Sequence, residues 1–577
     1  MDLIPSSTRC WSWGSETNLP IPVIDLVSFA FGRSSEYDEN RPIFIDARNT
    51  SNFITIRSAK ALVCKLCKGL KTIGLKDGDC VGIHSYNNIL TPVLFLGIIA
   101  AGGIVSGSNP AYTPRELSHH FATTNTKYLF VHRDCLNAKN QRECAENEAW
   151  LTSECGLSPE TVFQFDDETL IHARSNQNST REDISPLSPV PAFSDLLDLF
   201  VRGSQEWQHN HEDDKVLQKP AIYATTSGTT GLPKAAVIPH QYIVAQAVML
   251  EDQYRPRVGQ ISQLITLPVF HAFAAQLALV LPLRTGISTY FLPRFHLEEY
   301  IDCISRFRIT DTPVVPPIIS SLVQCAKRNG KSEEIKNKLQ SLRNIVCAGA
   351  PLSYAMQKQF CDCLSLQCHV RQCWGTTEVG WVTLWSMTGR DQTGSVGHLT
   401  ANTQLKLLTA DGTAVTNEGD EGEACIRSPS MYLGYRNLSS SGPPVDAEGF
   451  YHTGDLAYYK DNKVFITGRI KDIMKIKSWQ VSPQEVENVI LEDPRVADCA
   501  VVGVTHEDEP GMDATLIRAY VVRGGGQLGD EDLASAIKTR VSSELASYKR
   551  LTGGVLFIDE VPRNAAGKIL RYKLRKF

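Results

Sequence analysis

Short apolar, β-branched runs alternate along this chain with longer amphipathic stretches, and that alternation constrains the fold more than any other feature. Residues 127–132, 221–224, 311–315, 344–348 and 370–374 read as buried strands, with helical patterns between several of them. Strands apolar on both faces and separated by helices imply parallel α/β sheets. No internal repeat interrupts the pattern. The length of 577 residues exceeds a single core, because domains cluster near about 100–200 residues.

The texture changes twice. Residues 175–214 are rich in Ser, Asn, Asp, Glu and Pro and read as a surface excursion, broken by a short helix over 193–200. From 393 to 459 short strands are separated by Gly, Asp and Asn turns, as in a small antiparallel barrel. A strand over 463–468 then runs into a charged segment, and the remaining hundred or so residues read as a compact α+β unit. Its first helix carries a predicted capping box, with Ser482 as cap, Pro483 in the first helical position and Glu485 three residues beyond the cap. Strands over 496–504, 516–522 and 554–559 and a helix over 530–545 complete it.

Composition limits the partners. The 58 Lys and Arg against 63 Asp and Glu leave a net charge of -5, which offers no general attraction to nucleic acid. Sixteen cysteines are too few for a disulfide scaffold. Residues 1–20 lack a secretory signal, so the thiols are expected to be reduced and the sequons at Asn49, Asn178 and Asn437 to carry no glycan. The apolar runs 93–105 and 264–283 read as buried elements rather than membrane spans, the first being short and glycine-rich and the second carrying Pro268, His271 and Gln276. The terminal Leu574-Arg575-Lys576-Phe577 is not a Ser-Lys-Leu peroxisomal address, which leaves the cytoplasm as the expected compartment. Cys361, Cys363, Cys368, His369 and Cys373, like Cys64-Lys65-Leu66-Cys67, lack paired zinc spacing and read as buried thiols.

The strongest local signal follows the strand at 221–224: Thr225-Thr226-Ser227-Gly228-Thr229-Thr230-Gly231-Leu232-Pro233-Lys234. Glycines let backbone amides turn toward an anion, five hydroxyls add donors, and Lys234 supplies positive charge. The run describes a phosphate cradle. It is not a Walker loop, because Lys234 lacks the preceding Gly and the following Ser or Thr. The competing reading is a Gly/Thr-rich hairpin turn.

Ser-Gly-Thr-Thr-Gly-Leu-Pro-Lys resembles the nucleotide-binding signature of adenylate-forming enzymes: acyl-CoA synthetases, 4-coumarate-CoA ligases, luciferases and peptide-synthetase adenylation domains. Further motifs follow in that family's order. They are Leu267-Pro268-Val269-Phe270-His271, Ala348-Gly349-Ala350-Pro351-Leu352, Gln372-Cys373-Trp374-Gly375-Thr376-Thr377-Glu378, Tyr451-His452-Thr453-Gly454-Asp455, Gly468-Arg469-Ile470-Lys471-Asp472 and Pro562-Arg563-Asn564-Ala565-Ala566-Gly567-Lys568. The chain looks most like fungal 4-coumarate-CoA-ligase-like members, a group whose placement in secondary metabolism is part of the expectation.

The resemblance implies a large α/β adenylation domain over 1–467, built of two doubly wound sheets and the barrel, a hinge over 468–472 centred on Lys471, and a mobile α+β lid over 473–577. It implies ATP and Mg²⁺ as cofactors and CoA as co-substrate. Thr226, Ser227, Gly228, Thr229, Thr230, Gly231 and Lys234 would hold phosphate. Ala348, Gly349, Ala350, Trp374 and Gly375 would hold the rest of the nucleotide, Thr377 would be a catalytic residue hydrogen-bonding phosphate, and Arg469 would approach the ribose or phosphate. Asp455 would accept from the ribose hydroxyls, as suits an ionised acceptor. Glu378, a hard oxygen ligand, would bind the metal. Lys568 would bridge the attacking carboxylate and the α-phosphate, and Lys475 and Gln480 would enter when the lid rotates for thioester formation.

Lys477, Ser478 and Trp479 would border the CoA tunnel, with Ser478 standing where the family commonly has glycine. His240, Tyr242, Gln246, His271, Phe273 and Cys373 would line the acyl pocket. His271 occupies the place where amino-acid-activating relatives usually have Asp, which favours an acid without an α-amino group. Cys373 and Thr376 replace the Gly and Met of 4-coumarate ligases, which disfavours coumarate. The expected activity is therefore an AMP-forming acid:CoA ligase acting on a small-molecule carboxylic acid. Its alternatives are an adenylating enzyme that loads a carrier protein in trans, none being fused within the nine residues after Lys568, and a non-catalytic nucleotide-binding homologue. Intact Lys234, Glu378, Asp455, Arg469 and Lys568 argue against the last.

Overall fold

The apolar runs pair side by side into sheets because strands of this kind have no polar face to leave in water. The computed structural model describes residues 12–136, 155–167, 169, 193–208, 214–226, 233–257, 261–327, 332–387, 391–437, 445–476, 479–505, 515–524, 529–564 and 567–574. Two large sheets dominate. The first has seven strands in the order Lys234–Pro239, Pro220–Thr226, Ile104–Ser108, Cys80–His84, Thr126–His132, Val162–Phe165 and Ser194–Asp195. All its neighbours are parallel except the first pair, which is antiparallel and sets Lys234 opposite Thr226. The predicted hairpin and the predicted phosphate cradle are thus not rivals, since an antiparallel pair frames that loop.

The second sheet has nine strands. Six are parallel: His369–Thr376, Asn344–Cys347, Asp311–Val314, Ser262–Ile265, Ser288–Phe291 and Pro42–Asp46. Antiparallel strands flank them, Gly380–Leu384 and His398–Leu399 at one edge and Phe53–Thr55 at the other. Parallel strands end together, so the carboxyl ends of three neighbours bring Val315, the 348–350 turn and the 374–378 segment to one edge. That edge is where open α/β sheets bind ligands. One continuous apolar cluster, including Phe44, Leu94, Phe130, Leu250, Leu264, Ile319 and Phe360, joins the two sheets through their helices.

A third sheet of five antiparallel strands corresponds to the predicted barrel but is larger than its 393–459 bounds. It recruits Trp13–Gly14 at one edge and Lys463–Arg469 at the other, around Gln404–Leu408, Glu421–Arg427 and Tyr451–Lys460. The C-terminal unit has its own core of Val486, Ile490, Val501, Ile517, Ile537 and Val541. These residues lie between a sheet of Val496–Thr505, Thr515–Arg523 and Val555–Phe557 and the helices Pro483–Leu491 and Asp530–Glu544. The molecule is α/β with a separate α+β C-terminal domain, as expected.

Two local expectations are corrected. Ser482 and Pro483 do begin a helix, but the capping box does not close. The Ser482 hydroxyl donates instead to the Thr467 carbonyl (2.8 Å), and Glu485 pairs with Lys549. The tertiary bond to the strand carrying Arg469 wins over the local one. The predicted helix at 193–200 is split into a strand, Ser194–Asp195, and a helix of one turn, Leu197–Phe200. Much of the 175–214 excursion lies outside the described residues. Among the described residues no helix is long and apolar enough to cross a membrane.

Candidate active site

The motif Trp374 to Glu378 turns between two antiparallel strands, and the turn is tight. Gly375 lies opposite Trp381 in register, and a Cβ built on Gly375 falls 2.0 Å from the Gly380 carbonyl oxygen. Only glycine allows that approach. Gly375→Ala is therefore expected to destabilise the protein by about 1–3 kcal/mol, the range for an added methyl group that forces the backbone to shift. Urea unfolding checks it, and an unchanged midpoint would count against the close packing.

Glu378 is buried and tied at every part of its backbone. Its amide donates to Thr376 Oγ1 (3.2 Å) and its carbonyl accepts from the Tyr432 amide (2.8 Å). Tyr435 donates its phenolic O–H to Glu378 Oε1 (2.6 Å), while the Lys234 ammonium sits 5.4 Å above the Tyr435 ring. Burial and the Glu378 charge both push the Tyr435 phenol pKa up, so it remains a donor. Tyr435 thus stands between the metal candidate and the phosphate-loop lysine. It was not among the expected site residues. Its bridge to Ala236, beside Lys234, is an isolated one with no strand pattern to announce it. Tyr242 Oη donates to the Thr377 carbonyl (3.2 Å) and holds the same turn from the other side.

Asp455 and Arg469 are direct partners across the last strand pair of the five-stranded sheet, with Arg469 Nε 2.7 Å from Asp455 Oδ1. Trp374 Nε1 donates to Asp455 Oδ2 (2.9 Å). With 2% exposure, burial raises the Asp455 carboxyl pKa; Arg469, the Trp374 hydrogen bond and Lys568 oppose the rise. The turn that presents Asp455 is clamped by Glu423, which accepts from the Gly454 amide (3.2 Å) and lies 3.0 Å from His452 Nδ1.

Lys568 comes to this group from the C-terminal domain. Its amide donates to Asn564 Oδ1 (2.9 Å), and Arg563 ties the loop by bonding both Asp498 (2.8 and 3.1 Å) and the Gly567 carbonyl (2.7 Å). Gly567, at φ +81°, rests against Val315 at the edge of the nine-stranded sheet. Burial first, then repulsion from Arg469, lowers the Lys568 pKa to about 8, and Asp472 and Asp455 hold it against a larger fall. The C-terminal domain is therefore docked with Lys568 turned toward Asp455 and Arg469.

The other expected residues are placed unevenly. Ala348 is buried and Gly349 has φ +90° at the strand-end turn. Gln246 accepts from the Trp381 amide (2.8 Å), and Phe273 packs on the Trp381 ring (5.2 Å between centroids). His271 caps a short helix, accepting from the Phe273 amide, and burial lowers its pKa to about 4. Cys373 is buried, and burial drives its thiol pKa up. His240 is not brought to the group: its Nδ1 accepts from the Leu26 amide (3.3 Å), on the side of the N-terminal helix Leu26–Phe31. The strands Met474–Ile476 and Trp479–Val481 set Lys475 opposite Gln480, and Trp479 is 56% exposed and stacked on Tyr548 (4.6 Å). Lys471 lies in the short turn Ile470–Asp472 that links the two domains. Ser227, Gly228, Thr229, Thr230, Gly231, Lys477 and Ser478 lie outside the described residues. Cys64, Cys67, Cys363, Cys368 and Cys373 are buried free thiols and Cys361 is a partly exposed one. Among the described residues the one cluster of His, Cys and acidic donors close enough to share an ion is Glu423, Cys425 and His452.

The family model described as AMP-binding enzyme matches residues 31–436, and that described as AMP-binding enzyme C-terminal domain matches residues 485–568. The chain belongs to the AMP-binding enzyme family. It is 36% identical over 560 residues to phenylacetyl-CoA ligase epaB of Aspergillus niger, covering 96% of this chain and 97% of the relative. It is 32% identical to nicotinic acid-CoA ligase olcI of Penicillium canescens, with coverage of 96% and 97%. The anthranilate CoA ligase AuaEII, crystallised with anthranoyl-AMP, shares the fold of this AMP-binding enzyme with a TM-score of 0.78 at 21% identity, covering 97% of this chain and 98% of the other. The AMP-binding enzyme is thus a member of the acyl-CoA ligase group, an acid–thiol ligase.

Proposed function

We propose that this ligase activates an aromatic carboxylic acid as its acyl-adenylate and passes the acyl group to CoA, with Lys568, Asp455 and Arg469 at the nucleotide. Curated relatives act, by name, on phenylacetic and nicotinic acids, and the aromatic pair Phe273 and Trp381 lies beside the 374–378 turn. One observation carries the reading: a partly buried ammonium from the C-terminal domain is brought close to a second cation, Arg469, beside Asp455 and Asp472, and the repulsion between the two cations is what a bound phosphate would offset.

In the first half-reaction a carboxylate oxygen attacks the α-phosphorus and the bond to pyrophosphate breaks. Two anions must approach, so fixed cations facing the developing charge do most of the catalytic work. Lys568 and Lys234 supply that charge, and Asp455 accepts from the ribose. Glu378 fits a magnesium site, because its Oε2 accepts no hydrogen bond from a described residue and a carboxylate is the hard ligand this ion takes. Bound there, the ion would neutralise phosphate charge. In the second half-reaction the CoA sulfur attacks the acyl carbonyl and AMP leaves. Rotation about Lys471 would withdraw Lys568 and bring in Lys475, Gln480 and the border residues Lys477 to Trp479.

Tyr435→Phe removes the hydrogen bond that orients Glu378, and such supporting contacts typically govern metal affinity by about 10–100-fold. The expected result is a rise of that order in the Mg²⁺ concentration for half-maximal rate, matched by weaker Mn²⁺ binding in a direct titration. An unchanged metal dependence would remove Tyr435 from the site. The function itself is tested by pyrophosphate release over aromatic, medium-chain and long-chain acids, repeated with CoA and mass detection of the thioester. Aromatic acids should lead, and absence of acid-dependent release would overturn the reading.

A further inference from the structure

Among the described residues, buried indole N–H groups have acceptors, with one exception. Trp207 donates to Ser28 Oγ (2.9 Å), Trp374 to Asp455 Oδ2 (2.9 Å) and Trp385 to the Ser395 carbonyl (3.1 Å). Trp381, only 3% exposed, has an Nε1 that bonds to no described residue. A buried tryptophan N–H normally finds a partner, and one left without calls for an explanation.

Its surroundings supply one. The Trp381 backbone is fixed, because its amide donates to Gln246 Oε1 (2.8 Å) while Gln246 Nε2 is committed to Ser430 Oγ (2.9 Å). Tyr242 Oη donates to the Thr377 carbonyl, and His271 Nδ1 accepts from the Phe273 amide, which leaves the ring proton on Nε2 and makes that nitrogen a donor, so neither side chain is bonded to the indole. Phe273 covers part of the ring. Across the strand pair the partner of Trp381 is Gly375, which contributes no side chain to that position. The Trp381 backbone therefore lies about one strand spacing, roughly 5 Å, from Gly375 at the start of the segment that carries Thr377 and Glu378. With Phe273 the indole forms an aromatic pair that holds an unsatisfied donor.

We propose that Trp381 Nε1 is the specificity donor of the acyl site and that the substrate is an aromatic acid bearing a lone-pair acceptor on its ring, such as a ring nitrogen or a ring-bound carbonyl or ether oxygen. The proposal rests on the acid-activating reading above. Sites built to hydrogen-bond a substrate discriminate strongly against the analogue lacking the group, because the donor is then left unpaired, whereas apolar contacts discriminate weakly.

The test compares isosteres that differ only in the acceptor: the three pyridinecarboxylic acids with benzoic acid, and the pyridylacetic acids with phenylacetic acid. Pyrophosphate release is measured in the wild type and in Trp381→Phe. In the wild type at least one nitrogen isomer should exceed its carbocyclic parent by about 10-fold or more in kcat/KM, since one good hydrogen bond is worth at least that much. In Trp381→Phe the ratio should fall to within about 2-fold, whatever the absolute rates. A ratio near one for every pair, or a preference that survives the substitution, overturns the proposal. A second readout does not need turnover. The Trp381 indole ¹H–¹⁵N signal, assigned by its loss from Trp381→Phe or Trp381→Tyr, should move with the preferred nitrogen acid and not with its parent; no movement overturns the proposal. Release from several acids without discrimination would sink this inference and leave acid activation standing. An indole shift with no pyrophosphate from any acid would do the reverse.

Discussion

Lys568→Ala should lose acid-dependent pyrophosphate release by about 10²–10³-fold, the usual loss on removing a preorganised group that faces developing charge, and keep thioester formation from synthetic acyl-AMP and CoA. At about 1.36 kcal/mol per decade the loss amounts to roughly 2.7–4 kcal/mol of transition-state stabilisation. The split follows from where the residue sits. Lys568 reaches Asp455 and Arg469 only because Gly567 rests on Val315 and Arg563 ties the loop back to Asp498. The second half-reaction is proposed to occur with that loop withdrawn. The variant should also fold as well as the wild type, since it removes a partly buried ammonium whose desolvation is unfavourable rather than a core side chain. Half-reactions measured separately decide the matter, and equal loss in both would end the assignment.

What the sequence could show of this site was what neighbouring residues determine. The 374–378 segment at a strand end, the irregular stretch at Gly454-Asp455 inside the strand Tyr451–Lys460 and the Gly567-Lys568 loop are short local features, and each is found where the motifs lie. The alternating apolar runs likewise forecast the parallel sheets, because burial on both faces leaves a continuous apolar signature. Residues that act through distant partners were less legible. Tyr435 matters through Glu378 and Lys234, far from it in sequence, and no local period marks it. Trp381 looks like any apolar strand residue until its unpaired N–H is seen in place. His240, expected in the acyl pocket, begins the helix His240–Tyr254 and instead accepts from the Leu26 amide, a neighbour more than two hundred residues away that no local pattern names. Trp13–Gly14 is too short to announce itself as a strand, and its place in the third sheet depends wholly on pairing with Gln404–Leu408.

The adenylation step should fall as pH rises through about 8, tenfold for each further pH unit, because the Lys568 ammonium loses its proton there. The limb belongs in kcat/KM for ATP, which reports the free enzyme. In kcat it should move upward, since a bound triphosphate favours the charged lysine as any nearby anion does. Lys568→Arg should abolish the limb, a guanidinium remaining charged throughout, and thioester formation from acyl-AMP should not show it. Stability runs the opposite way. The folded-state pKa of Lys568 lies near 8, below the ordinary lysine value of 10.5, so between these limits the unfolded chain binds the extra proton. Raising pH across that window therefore favours the folded, docked arrangement with respect to this group. Unfolding or undocking driven by Lys568 cannot produce the fall in rate; only loss of the charge at the reacting phosphate can. A pyrophosphate-release profile that stays flat to pH 10 would show that the Lys568 ammonium is not the cation the first half-reaction uses.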